Sequence, residues 1–346
     1  MSTNSTATVR NQSLKWKHSL TAVLEVFGVY MVGQLIAFIL IKLLQIDVVN
    51  PIEVLKANPD ADLLEMSQKL GVILLLQYGG IMVPALLIGW WHRRRRLSDY
   101  GWTTAKRPLF HNVWIGIVLF TVAGLPGRLL EVVDRFIIPL GEKAITHEVI
   151  YALNWDFKFW IFMAVGSYLL IPFVEEFFYR GYVQTRLAED FDAPAAILIT
   201  ALFFTFSHSQ YYLTLSAWTI GFLLTTLFTA LAWGYIFFRT RSLIAPIIAH
   251  ALVNIPVRGA ANIILPVVMI AVVVSYRKQI IKAFKNFAAI FKTSIFAKWE
   301  TVVVSLGVII FTVLIAVAQD IAVLFGIVFL FIALVLEFFE KRKKKK

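Results

Sequence analysis

Three short stretches of this chain set ionisable side chains among strongly apolar neighbours. Glu175-Glu176-Phe177-Phe178-Tyr179-Arg180 offers two carboxylates and a guanidinium, Phe204-Thr205-Phe206-Ser207-His208 ends on an imidazole, and His250-Ala251-Leu252-Val253-Asn254 carries an imidazole and an amide. Residues four apart share one face of a helix, so Glu176 can pair with Arg180, His250 stands beside Asn254, and Phe204 beside His208. Glu175 lies about 100° round the helix from Glu176 and must look elsewhere. Three helices can thus point a carboxylate, two imidazoles, an amide and a braced Glu–Arg pair into a common interior. Peptide hydrolysis needs such groups: an activated water, a stabiliser for the oxyanion, and a proton donor for the leaving amine. The chain has no cysteine, so disulfides and thiolate-held metal are excluded and any metal must rest on His and carboxylate.

The elements that carry these residues are membrane spans. Of the 346 residues, 59% are hydrophobic and 16% are charged, against about 25% charged in a soluble domain. A helix crosses the hydrocarbon core in about 20 apolar residues. Such runs occur near Leu20–Leu44, Leu70–Trp91, Phe110–Leu130, Phe157–Phe178, Pro194–Tyr211, Ala217–Phe238 and Leu243–Pro256, then near Ala260–Tyr276, Thr301–Ala318 and Ile321–Phe339. The expected fold is an all-α, polytopic transmembrane helical bundle of about ten spans, eight at the fewest, with a polar catalytic cavity in its second half. Residues 1–150 would supply N-terminal spans and external loops, 151–276 the catalytic core, and 277–346 a basic segment, a two-helix hairpin and a Lys-rich tail. The first apolar run is too long for a signal peptide and should stay as a span.

The formal charge of +12 would raise nucleic acid as a partner of a soluble protein, but here the basic residues sit between spans, so none is expected. Arg93 to Arg96 with Lys106 and Arg107 follow the second run, Arg239 and Arg241 the sixth, Arg277 to Lys298 the eighth, and Lys341 to Lys346 the tenth. The segment from Asp47 to Lys69 is acidic instead. Lys and Arg are retained on the cytoplasmic side, which puts both termini there, in the plasma membrane if the cell is bacterial. Membrane lipid is then the surrounding partner. Anionic lipid is expected at the basic loops and the Lys-rich tail, and Ile280 to Lys298 suits either a surface helix or an ordinary basic loop.

Each polar piece has a bland reading. A lone His in a span can be an interhelical hydrogen-bonding group, and two adjacent Glu near an interface can simply be solvated. Their joint appearance in this order is harder to dismiss. EEFFYR, FTFSH and HALVN resemble the three signatures EExxxR, FxxxH and HxxxN/D of the CAAX-type intramembrane proteases and bacteriocin-processing or immunity proteins, the CPBP family. Gly181, Tyr182 and Gln184 extend the first signature, and the resemblance covers about Phe157 to Asn262. It implies an intramembrane endopeptidase acting on a peptide, a lipidated protein or a membrane protein. By resemblance and geometry Glu175 would be the base and Glu176 would be held by Arg180. His208 would hold water or a metal, while His250 and Asn254 would stabilise negative charge. Glu175, His208 and His250 could hold zinc with water in the fourth position, the reading this set favours; HExxH is absent, and a metal-free glutamate mechanism is also consistent.

Two alternatives use the same residues: a non-hydrolytic immunity or regulatory protein, and a transporter. Transport would require Glu25, Gln34 and Gln77 to join one polar path across the bilayer. One geometric difficulty also arises. If the fourth span ends at Phe178, Glu175 sits near its cytoplasmic end, whereas His208 falls at the far end of the fifth.

Overall fold

The computed structural model describes residues 3–46, 54, 58, 62–102, 108–143, 165–213, 215–257, 259–294, 299–317 and 327–336. The expectations for Lys106, Arg107, Lys298 and the Lys-rich tail fall outside them. The architecture is all-α: α1 is Thr3–Leu43, α2 Leu63–Leu87, and α3 Leu109–Phe136. α4 runs over 166–187 as Gly166–Leu170, Ile171–Glu176, Phe177–Gln184 and Thr185–Leu187. After it come α5 Ala193–Phe206, α6 Ala217–Thr240, α7 Ile244–Asn254, α8 Ala261–Ser275, α9 Arg277–Ser294, α10 Trp299–Val317 and α11 Ile327–Leu336.

Each of the ten apolar runs contains a helix where it is described. Among the described residues five helices are long and apolar enough to cross a membrane, or six if the α8–α9 pair, bent by 76°, is one span. α5, α7 and α11 are shorter apolar helices. The expected site needs short elements, because two of its three motifs lie where α5 and α7 end.

Helix starts are set by local chemistry. The Asp62 carboxylate accepts from the Leu64 and Glu65 amides at the head of α2, and Asp192 accepts from Ala195 before the proline-initiated α5. Ser216 and Thr219 cap α6 reciprocally, so each satisfies donors that a helix start leaves open. α1 packs on α2, α3 on α7, α6 and α8, and α5 lies between α6 and α10. The α1–α2 crossing is backbone against backbone: a Cβ on Gly33 would stand 2.5 Å from the Gly80 carbonyl oxygen. Small residues permit that approach in lipid. Gly80→Leu should therefore lower the unfolding temperature in detergent by several degrees, whereas Gly79→Leu, whose Cβ meets nothing within 4 Å, should not.

The depth difficulty disappears because α4 does not end at Phe178. It continues to Leu187, which puts at most roughly 18 Å of further helix between Glu175 and that end, and all eight residues of Phe177–Gln184 are buried. Polar Arg180, Gln184 and Arg186 read as an exit from the membrane, yet each has a buried partner. Arg180 meets Glu176, Gln184 Nε2 donates to the Gly234 carbonyl at 2.9 Å, and Arg186 Nε donates to Glu25 at 2.9 Å. The Glu pair thus sits in mid-bundle, level with the end of α5.

Candidate active site

The catalytic candidates stand on a helix interrupted by two π-helical stretches, Gly166–Leu170 and Phe177–Gln184, flanking the short α segment that ends in Glu175-Glu176. Such insertions recur at functional sites because they re-aim side chains within a helix. Glu175 and Glu176 end the α segment between these insertions and, one helical step apart, point in different directions. Glu176 and Arg180 are fully buried, with Arg180 Nη1 donating to Glu176 Oε1 at 3.0 Å. The guanidinium also lies over the rings of Phe204, at 4.5 Å, and Trp233, at 5.3 Å. Those faces help hold a charge that has left water.

Glu176 also receives His250. The His250 Nδ1 lies 2.9 Å from Glu176 Oε1. A carboxylate only accepts, so Nδ1 carries the proton and Nε2 is the nitrogen left for chemistry. That Nε2 stands 3.8 Å from Glu175 Oε2. His208 follows the same logic: its Nδ1 is 2.7 Å from the Phe204 carbonyl oxygen, which fixes the proton on Nδ1 and keeps the Nε2 lone pair available. The FxxxH spacing is thus a local brace, with the Phe ring 4.7 Å from the imidazole and 6.1 Å from His250. Both histidines are oriented through one nitrogen and presented through the other.

Glu175 faces a cavity of about 520 Å³ whose lining includes His208, His250 and Asn254. Its Oε1 accepts from the Tyr78 hydroxyl at 2.6 Å, and its buried Oε2 has no hydrogen-bond partner among the described residues. One oxygen is anchored and the other is free to take a proton. Asn254 uses its amide differently from the expectation: Nδ2 donates to the Ser167 carbonyl at 2.8 Å, tying the end of α7 to the first π turn of α4 and leaving one N–H for the cavity.

The structure thus brings Glu175, His208, His250 and Asn254 to one cavity, with Glu176 and Arg180 directly behind them. The metal set fares differently. Among the described residues no group of three His, Asp or Glu side chains stands arranged to hold an ion.

Several participants were not legible in the sequence. Tyr78 stands 97 residues from Glu175 and reads as one aromatic in an apolar run. Arg128 of α3 donates to the Val253 and Ile255 carbonyls at 3.1 and 2.7 Å and so caps the end of α7 that carries Asn254. Its other arm bonds Glu131 at 3.1 Å, and both line the cavity. The first three helices therefore complete the wall of a site whose motifs lie in the second half. Gln34 and Gln77 line the same cavity. Glu25 does not: it is buried against Arg93, Arg186 and Tyr182. The polar residues form one cavity and one separate lock, not a continuous path.

A charged hydrogen bond is worth about 1.5–3 kcal/mol. Tyr78→Phe should therefore cut turnover roughly tenfold or more, with the unfolding temperature little changed, as read by parallel peptide assays and thermal scans.

The fold and cavity define an integral membrane protein with a carboxylate–imidazole site enclosed by its helices. Residues 157–256 match the family described as Type II CAAX prenyl endopeptidase Rce1-like, which is consistent with the CAAX-type membrane proteases that the three motifs resemble. The match spans all three motifs and supports a CAAX-type protease in general. No curated protein and no solved structure matches the chain.

Proposed function

We propose that this protein is an intramembrane endopeptidase in which Glu175 activates water without a metal ion. The observation that carries the reading is the asymmetry of Glu175, with Oε1 anchored by Tyr78 and Oε2 directed at the His250 Nε2. Water held by Glu175 Oε2 and the His208 Nε2 lone pair gives its proton to Glu175 as its oxygen attacks the peptide carbonyl carbon. The oxyanion is met by the remaining Asn254 N–H and by His250 when its Nε2 is protonated. Collapse breaks the C–N bond, and Glu175 returns the proton to the departing amine. The Glu176–Arg180 pair keeps the His250 Nδ1 proton and the ring orientation in place in both protonation states.

The substrate would be a peptide segment of a membrane-associated, lipidated or membrane protein entering the cavity. Anionic lipid would meet the exposed Arg94 and Arg96 and the exposed Lys278, Lys282 and Lys285 of α9, whose Phe287 packs on Tyr235 instead. The test is cleavage of a library of lipidated and unlipidated peptides by the purified protein, with products read by mass spectrometry. Cleavage unchanged by a strong chelator is the expected result. Activity lost to the chelator and restored by zinc would replace the metal-free mechanism. Absence of any cleavage, with a bound membrane partner retained equally by Glu175→Gln, would leave the fold as a scaffold.

A further inference from the structure

The cavity is displaced toward one end of the bundle, and that end can be identified. Leu243 N donates to the Gly101 carbonyl at 3.0 Å, and Arg93 and Arg95 both reach Glu189. The segments after α2, α4 and α6 therefore meet at one end. Trp114, near the start of α3, lies 6.3 Å from Tyr276 at the end of α8, so Arg277 and Lys278 begin there too. At the other end Ser216 Oγ donates to the Glu142 carbonyl at 2.7 Å and Trp218 N to the Leu140 carbonyl at 3.0 Å.

Charge separates these ends. The first carries Arg93, Arg94, Arg95, Arg96, Arg239 and Arg241 together with Arg277 and Lys278, against Asp99, Glu189, Asp190 and Asp192, and stays basic. The second balances Arg135 and Lys143 against Asp134 and Glu142. Retention of Arg and Lys on the cytoplasmic side makes the first end cytoplasmic.

The cavity extends from mid-bundle toward the second end. Its lining runs from Ala123 to Glu131 in α3, from Phe222 to Trp233 in α6, from Leu74 to Ile81 in α2 and to the end of α7. Ile255, just beyond α7, lines it and is also 41% exposed, so the cavity reaches the surface there. Toward the basic end it stops at Ile81, Tyr179 and Trp233. Beyond them Arg180, Gln184 and Arg186 are buried and belong to no part of its wall, and Glu25 with Arg93 and Arg186 closes the bundle.

We infer that the catalytic cavity opens on the face of the membrane away from the cytoplasm, and that its substrates are polypeptide segments presented from that face. A lipidated tail held at the cytoplasmic surface meets the closed, arginine-rich end instead. The substrate half of this inference rests on the proteolytic reading; the side of opening does not.

The absence of cysteine makes the side directly measurable. Single cysteines replace exposed residues in the full chain: Leu215→Cys and Ile138→Cys at the open end, Trp91→Cys and Leu97→Cys at the closed end. Intact cells are treated with a membrane-impermeant maleimide, and a second sample is treated after permeabilisation. The expected result is labelling of the first two in intact cells at least fivefold above the last two, with all four reacting after permeabilisation. The reverse pattern, or equal labelling at both ends in intact cells, overturns the inference. Two positions at each end guard against a variant that fails to fold. For substrates, peptides added outside sealed right-side-out vesicles should be cleaved, and the same peptides outside inverted vesicles should not; cleavage by inverted vesicles alone overturns the substrate class. The expected labelling with no cleavage from either side would refute the protease and uphold the side.

Discussion

Arg180→Ala should unfold this protein more readily than any single loss at the cavity wall. Arg180 and Glu176 are both fully buried and paired at 3.0 Å, so removing the guanidinium leaves a carboxylate without its cation. Breaking a buried pair from one side costs about 3–5 kcal/mol, much of it the penalty of the stranded charge. The stacking on Phe204 and Trp233 would go with it. His250 shares the same Glu176 oxygen, so the structural loss should carry catalysis down too. Thermal unfolding in detergent reads the effect, and a matched control separates its parts. Arg180→Met with Glu176→Gln removes both charges and keeps most of the volume, so it should recover a good part of the stability while activity stays lost. Equal stability of Arg180→Ala and the parent would mean that the pair is not closed in the membrane.

Glu175→Gln should behave in the opposite way. The amide keeps the shape of the side chain and an oxygen for the Tyr78 hydroxyl, so the fold should hold. What disappears is a group that can accept a proton. General-base contributions are about 10²–10⁴-fold, and a drop of that size in kcat at unchanged unfolding temperature is expected. Tyr78→Phe should fall between parent and Glu175→Gln, because it removes the anchor and leaves the base. A variant series in which Tyr78→Phe costs as much as Glu175→Gln would make Tyr78 a direct participant.

The pieces legible in the sequence are those whose information is local. Glu176 with Arg180, Phe204 with His208 and His250 with Asn254 each repeat the four-residue helical neighbour spacing, and apolar composition marks the helices that carry them. The three motifs do converge on one cavity. What stayed hidden depends on contacts distant in the chain. Glu25 reads as an isolated acid in a span, yet it binds Arg93, Tyr182 and Arg186, which lie 68, 157 and 161 residues away. The apolar run that ends at Phe178 stops short of the end of α4, because the buried partners of Gln184 and Arg186 cannot be seen from composition. The π stretches have no spacing signature, since the same residues would fit an ordinary helix. Asn254 was expected at the oxyanion alone, but half of its amide braces Ser167. Among the described residues, runs such as Ile244–Asn254 form helices too short to meet the length of a full span, a distinction that hydropathy alone does not make.

The central claim is that water, activated at Glu175, cleaves a peptide bond in this cavity. The most direct measurement incubates the parent and Glu175→Gln with the same peptide in ¹⁸O-labelled water and weighs the newly formed C-terminus. The Glu175 mechanism predicts a product carrying one ¹⁸O from the parent and essentially none from Glu175→Gln at equal concentration and equal fold. Equal product from both proteins, or a product from the parent without ¹⁸O, would contradict it.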